Sequence, residues 1–126
     1  MMQLTVAVSA VLWLAVIIGT YSIFPDYRAT PPEGVENLSA YPRALIRSNP
    51  DTAWLHSFAM ESKEHLPWIA AMLATAVAFT AARRPSALLA DARVRSMSTV
   101  LLATCFVLVA FNAVLGTLIN KVAPLQ

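Results

Sequence analysis

The stretch LTVAVSAVLWLAVIIGTYSIF, residues 4–24, contains no charged side chain. Its 21 residues make a helix of about 30 Å, the thickness of a bilayer's hydrocarbon core. In lipid a backbone must satisfy its own hydrogen bonds, so a lone run of this kind crosses as a helix. A cleaved signal peptide is the competing reading. It requires a basic start and a small-residue cleavage site. No Lys or Arg precedes this run, which ends Tyr21-Ser22-Ile23-Phe24-Pro25. The expectation is a retained span stopped by Pro25.

Two further uncharged runs follow: LPWIAAMLATAVAFTAA, residues 66–82, and SMSTVLLATCFVLVAFNAVLGTLIN, residues 96–120. Trp68 and Arg83-Arg84 bracket the second as interface anchors, and Lys121 closes the third. The reading is an all-α membrane protein with three transmembrane helices in one domain, residues 1–126. The first span covers about 4–24, followed by a long extracytoplasmic loop over 25–53. A long helix covers about 52–84 and contains the second span at about 66–83. A cytoplasmic loop over 83–96 leads to the third span at about 97–120.

Composition agrees. The chain is 58% hydrophobic and 13% charged, against about 45–50% and about 25% for a soluble domain. A net charge of +2 with no basic run gives no basis for a nucleic-acid partner. Alanine occurs 22 times and Arg supplies seven of the nine basic residues, a bias typical of GC-rich bacterial genomes. Cys105 is the single cysteine and lies in the third apolar run, where a thiol behaves as a small hydrophobe.

Arginine sets the expected orientation. Arg83, Arg84, Arg93 and Arg95 crowd the second loop. The first loop carries Arg28, Arg43, Arg47 and Lys63 against Asp26, Glu33, Glu36, Asp51, Glu61 and Glu64. The second loop is therefore expected in the cytoplasm, with the N-terminus inside and the C-terminus in the periplasm of a bacterial inner membrane. Within the first loop, Pro31-Pro32 and Gly34 predict irregular chain. Residues 38–47 form a candidate short interfacial helix, with Leu38, Tyr41, Leu45 and Ile46 near one face. Asn49-Pro50-Asp51 reads as the start of the long helix, which at about 50 Å outreaches the hydrocarbon core. Pro67 either kinks that helix or opens the membrane span.

The polar residues that stand out precede the second span. On a regular helical wheel His56, Met60 and Lys63 share one face, and Glu61, Glu64, His65 and Trp68 share another. His56 and His65 are nine residues apart, about 13 Å along the axis, so they cannot grip one ion together. His56 with Met60 is an i, i+4 pair of the type that soft Cu(I) accepts. Glu61, Glu64 and His65 supply oxygen and nitrogen donors for a harder metal, or a local ion pair on a solvated helix face. The di-iron Glu-x-x-His pattern and HExxH are both missing. A possible metal set is thus His56, Met60, Glu61, Glu64 and His65, and a partner or ligand cluster is Glu61, Glu64, His65 and Trp68. No particular cofactor follows from these residues.

Helices associate in lipid through small residues and interhelical hydrogen bonds. Ala7, Ala15 and Gly19 mark one face of the first span, Ala70, Ala74, Ala78 and Ala82 one face of the second, and Asn112, Gly116 and Asn120 one face of the third. Such faces predict packing against another membrane protein or a second copy, besides the lipid bilayer. No nucleophile–base arrangement, phosphate loop or mid-span charge is present in the sequence. The functional expectation is a non-catalytic accessory or assembly subunit of a bacterial inner-membrane complex. The alternative is a redox or metal-binding subunit, with haem, copper or quinone held through His56, Glu61, Glu64 and His65.

Overall fold

The computed structural model describes residues 2–124. It is all-α: the described residues contain helices, turns and irregular chain and no strand. Three helices are long and apolar enough to cross a membrane: Met2–Arg28, Leu55–Arg83 and Ala92–Val122.

The first of these comprises α1 (Met2–Ile18), a π-helical turn π1 (Gly19–Ile23) and α2 (Phe24–Arg28). Pro25 does not stop it, contrary to the sequence expectation. Pro25 sits in the first turn of α2, directly after π1. A π turn regroups the backbone bonds to i→i+5, and a first-turn proline needs no N–H, so the missing donor is absorbed there. The helix ends instead at Ala29, which is extended (φ −51°, ψ 134°). Thr30-Pro31-Pro32 follows, and a residue before proline is driven from the helical region.

In the irregular segment after it, Val35 N–H donates to Pro32 O across a turn whose third residue, Gly34, has φ +82°. That backbone region favours glycine. α3 (Pro42–Ser48) lies in this loop, with Pro42 at its start and Ile46 fully buried. The Asn49 side chain then accepts from Asp51 N–H at 2.9 Å, and Thr52 N–H donates to Asn49 O, an Asx turn into the next helix.

That helix opens as a second π segment, π2 (Leu55–Met60), and continues as α4 (Glu61–Arg83). Pro67 lies inside α4 rather than at its first turn. Arg84 precedes Pro85 and leaves the helical region (φ −135°, ψ 51°), so the chain breaks and restarts as α5 (Pro85–Ala90). Asp91 Oδ1 accepts from Arg93 N–H at 2.8 Å and caps α6 (Ala92–Val122). This cap explains why α6 begins ahead of the expected span start at 97.

The contacts resolve into two compact units, Met1–Val16 with Leu66–Phe111, and Ile17–His65 with Asn112–Gln126. In the first unit the apolar centre is Ala70, Ala74 and Cys105, with Leu12, Leu73 and Leu108 packed on it. Ala70 and Ala74 carry so little side chain that the Cys105 thiol reaches the Ala70 carbonyl, donating at 3.4 Å. In the second unit Tyr27, Ile46, Leu55, Ala59, Met60, Leu115, Ile119 and Ala123 form the core.

Candidate functional site

Polar chemistry in the second unit gathers on α2, π2 and the start of α4. Tyr27 is buried, and its hydroxyl shares a 3.0 Å hydrogen bond with His56 Nδ1. The two rings lie 6.1 Å apart between centroids. One residue on, Arg28 is exposed; its Nη2 donates to both Glu64 carboxylate oxygens at 3.1 Å. The same guanidinium stacks over the Phe24 ring at 4.5 Å. The ion pair is partly open to solvent, and such pairs are worth about 0.2–1 kcal/mol. Its geometry therefore fixes a register more than it stabilises the chain.

Lys63 uses a gap on α6. A β-carbon added at Gly116 would come within 2.8 Å of Lys63 Nζ. The ammonium thus occupies the space that a side chain would fill at that position. His65 is exposed and folds back on its own helix, Nδ1–H donating to Glu61 O at 2.8 Å. Glu61 is half-buried. Met60 is buried in the apolar core of its unit.

The residues singled out in the sequence are therefore distributed among separate contacts. Glu64 meets Arg28, His56 meets Tyr27, and His65 turns to a backbone carbonyl. Among the described residues, no three His, Cys, Asp or Glu side chains converge to hold a metal ion. Within the first unit, Trp68 packs edge-on against Trp13, with centroids 5.8 Å apart and an 80° interplanar angle. Ala70, Ala74 and Ala78 are buried, whereas Ala82 is exposed. Asn112 and Gly116 are half-buried, and Asn120 is exposed. On α1 the face turned inward is Ser9 and Val16 rather than Ala7 and Ala15, which are exposed.

Two groups of polar contacts are not visible in the sequence. Pro31-Pro32 and Gly34 predict irregular chain over residues 27–37, whereas Tyr27 and Arg28 belong to α2. The second group is a polar node in the first unit. Thr75 Oγ1 donates to Ala71 O at 2.8 Å. Its hydroxyl proton being committed there, it accepts from Trp13 Nε1–H and from the Ser9 hydroxyl, both at 2.9 Å. The available signal was Ser9 and Trp13 at i, i+4 in the first uncharged run, with a lone Thr75 in the middle of the second.

No protein-family model matches this chain, and neither a curated protein nor a solved structure matches it.

Proposed function

We propose that the chain is a small accessory or assembly subunit of a bacterial inner-membrane complex. It acts through helix–helix packing and through the polar groups around Glu61, Glu64 and His65. The arginine-rich loop faces the cytoplasm in this reading, and the α3 loop faces the periplasm. The observation that carries the proposal is how little of two spans the chain covers for itself. Only 11% of the first span's most apolar window and 17% of the third's is buried, against 33% for the second. The exposed surface mixes bulky groups such as Leu4, Val11, Phe106 and Val107 with the small Ala7 and Ala15. Small residues beside bulky ones let a second helix approach closely, and dispersion then favours protein over lipid.

The test is photocrosslinking in native membranes from exposed positions 15 and 107, with buried position 74 as control. The expected outcome is a discrete crosslinked polypeptide, either another membrane protein or a second copy, from 15 or 107 only. Asn112→Leu is expected to weaken that assembly by roughly 0.5–2 kcal/mol. The double variant Glu61→Ala/His65→Ala inserts normally and recovers less of the complex. Lipid adducts alone at all three positions refute the proposal.

The Tyr27–His56 hydrogen bond favours a second reading, a redox or metal-binding subunit associated with haem, copper or quinone. An imidazole held by a buried phenol at a span end suits a quinone carbonyl or an axial ligand. Visible absorption and metal content of protein purified from native membranes separate the two readings.

A further inference from the structure

α3 and the chain just after α2 enclose an open groove of about 590 Å³, bordered by Thr30, Pro31, Arg43, Arg47 and Ser48. Its charge is one-sided. Arg43 and Arg47 stand four residues apart on α3, so their side chains leave the same face of the helix. Neither has a carboxylate within ion-pair distance among the described residues; the one ion pair there is Arg28–Glu64. Arg43 Nε is moreover buried and has no hydrogen-bond partner. A buried guanidinium nitrogen without an acceptor is costly, so no protein acceptor neutralises Arg43 from behind and its charge is left to the groove.

We propose that this groove binds a phosphate-bearing anion through Arg43 and Arg47. Two guanidinium groups side by side present planar forks of donors that match the paired oxygens of a phosphate. The volume admits more than phosphate alone, enough for a glycerol phosphate. The groove lies in the loop joining the first two spans, where lipid headgroups are within reach. The ligand is either the headgroup of an anionic phospholipid or a soluble phosphorylated molecule of the same size. The recognising chemistry is the same in both.

The experiment uses full-length protein in nanodiscs of phosphatidylcholine, with and without phosphatidylglycerol. Native mass spectrometry counts the lipids that remain bound on release. Calorimetry with sn-glycerol 1-phosphate and with inorganic phosphate, in phosphatidylcholine discs only, reads the soluble arm. Selective retention of phosphatidylglycerol assigns the site to lipid, and saturable heat with glycerol phosphate assigns it to a soluble ligand. Either one supports the proposal if Arg43→Ala/Arg47→Ala abolishes it and Arg93→Ala/Arg95→Ala, in the other loop, does not. The expected loss is roughly fivefold per arginine. Because Arg43 is half-buried, Arg47→Ala alone is the second variant. Arg47 is exposed at the groove, and a folded protein with unchanged helical dichroism must still lose its share. Retention and heats that are unaltered in Arg47→Ala, or reduced equally by the Arg93/Arg95 control, overturn the proposal. So does an adventitious ion only, seen as phosphate binding that both double variants keep.

Discussion

Replacing Thr75 with Val removes one hydroxyl and nearly nothing else from the first unit. Three bonds end on that oxygen, and they are not equivalent. The bond to Ala71 O is internal to the helix, so its loss releases little. Ser9 can turn its hydroxyl to a carbonyl one turn back on its own helix, as serines in helices commonly do. Trp13 has no such escape, because an indole N–H only donates and cannot reach its own backbone. The cost is therefore dominated by one stranded indole donor in lipid. Intramembrane hydrogen bonds average about 0.6 kcal/mol with a maximum near 1.7. Adding a fraction for Ser9 gives about 1–2 kcal/mol for Thr75→Val. Thr75→Ser keeps the hydroxyl and is expected within about 0.5 kcal/mol of wild type. The assay is reversible unfolding in mixed micelles by added dodecyl sulfate, followed by far-ultraviolet dichroism. A double-mutant cycle with Trp13→Phe isolates the pair, and its coupling energy is expected at about 0.6–1.7 kcal/mol. The reasoning fails if Thr75→Val matches wild type, or if Trp13→Phe costs the same in both backgrounds.

Two further outcomes follow from the geometry. In Gly116→Ala the new methyl meets the tip of Lys63, a flexible chain end that swings aside, and the gain in helix propensity of about 0.8–1 kcal/mol offsets the displacement. The variant should unfold within about 1 kcal/mol of wild type, whereas Gly116→Leu should be clearly weaker and be rescued by Lys63→Ala. With Cys105 replaced by Ala, an impermeant maleimide added to intact cells should label Glu36→Cys and spare Ala90→Cys; the reverse pattern would invert the orientation.

How far the sequence disclosed this molecule depends on which physical signal each part carries. The three spans were legible because removing charge from some twenty consecutive residues is a statistical extreme with one physical meaning. The small residues at 70 and 74 were legible as a close-approach face for the same reason: position along a regular helix fixes which side chains share a side. The contacts of Arg28 with Glu64 and of Tyr27 with His56 were not. They join residues 36 and 29 positions apart, and no local pattern encodes which distant partner a charge will choose. The wheel at 56–68 also assumed a uniform α-helical advance. Asp91 as the cap of α6 was readable in principle, since an acidic residue just ahead of a helix is a start signal. Charge-free length alone places the span start later, at 97, because Arg93 and Arg95 interrupt the apolar run.

The two π turns connect these failures. Both belong to the same unit and lie at the ends of the first two spans, Gly19–Ile23 and Leu55–Met60. A π turn takes more residues per revolution than an α-helix, so every side chain beyond it is rotated relative to a regular wheel. On the second helix the regular wheel placed His56, Met60 and Lys63 together. Met60 enters the apolar core that holds Tyr27, His56 bonds Tyr27, and Lys63 reaches the gap at Gly116 beside Leu115 of that core, so this grouping survives π2. On the first helix, π1 lets the chain continue through Pro25, which delivers Tyr27 to a buried position and leaves Arg28 facing Glu64. A π turn gives up regular bonding, and it persists where side-chain contacts offset the loss. Here the offsetting contacts are one part-buried phenol–imidazole bond, one ion pair and a shared apolar core. The regularity that membrane spans usually keep is thus broken at the place where polar groups must be aimed. The same end of the chain bears the Arg43–Arg47 groove. Departure from the uniform helix thus accompanies the Tyr27–His56 and Arg28–Glu64 contacts, whereas the Thr75 node is built on the uniform stretches of α1 and α4, where small hydroxyls need no re-aiming.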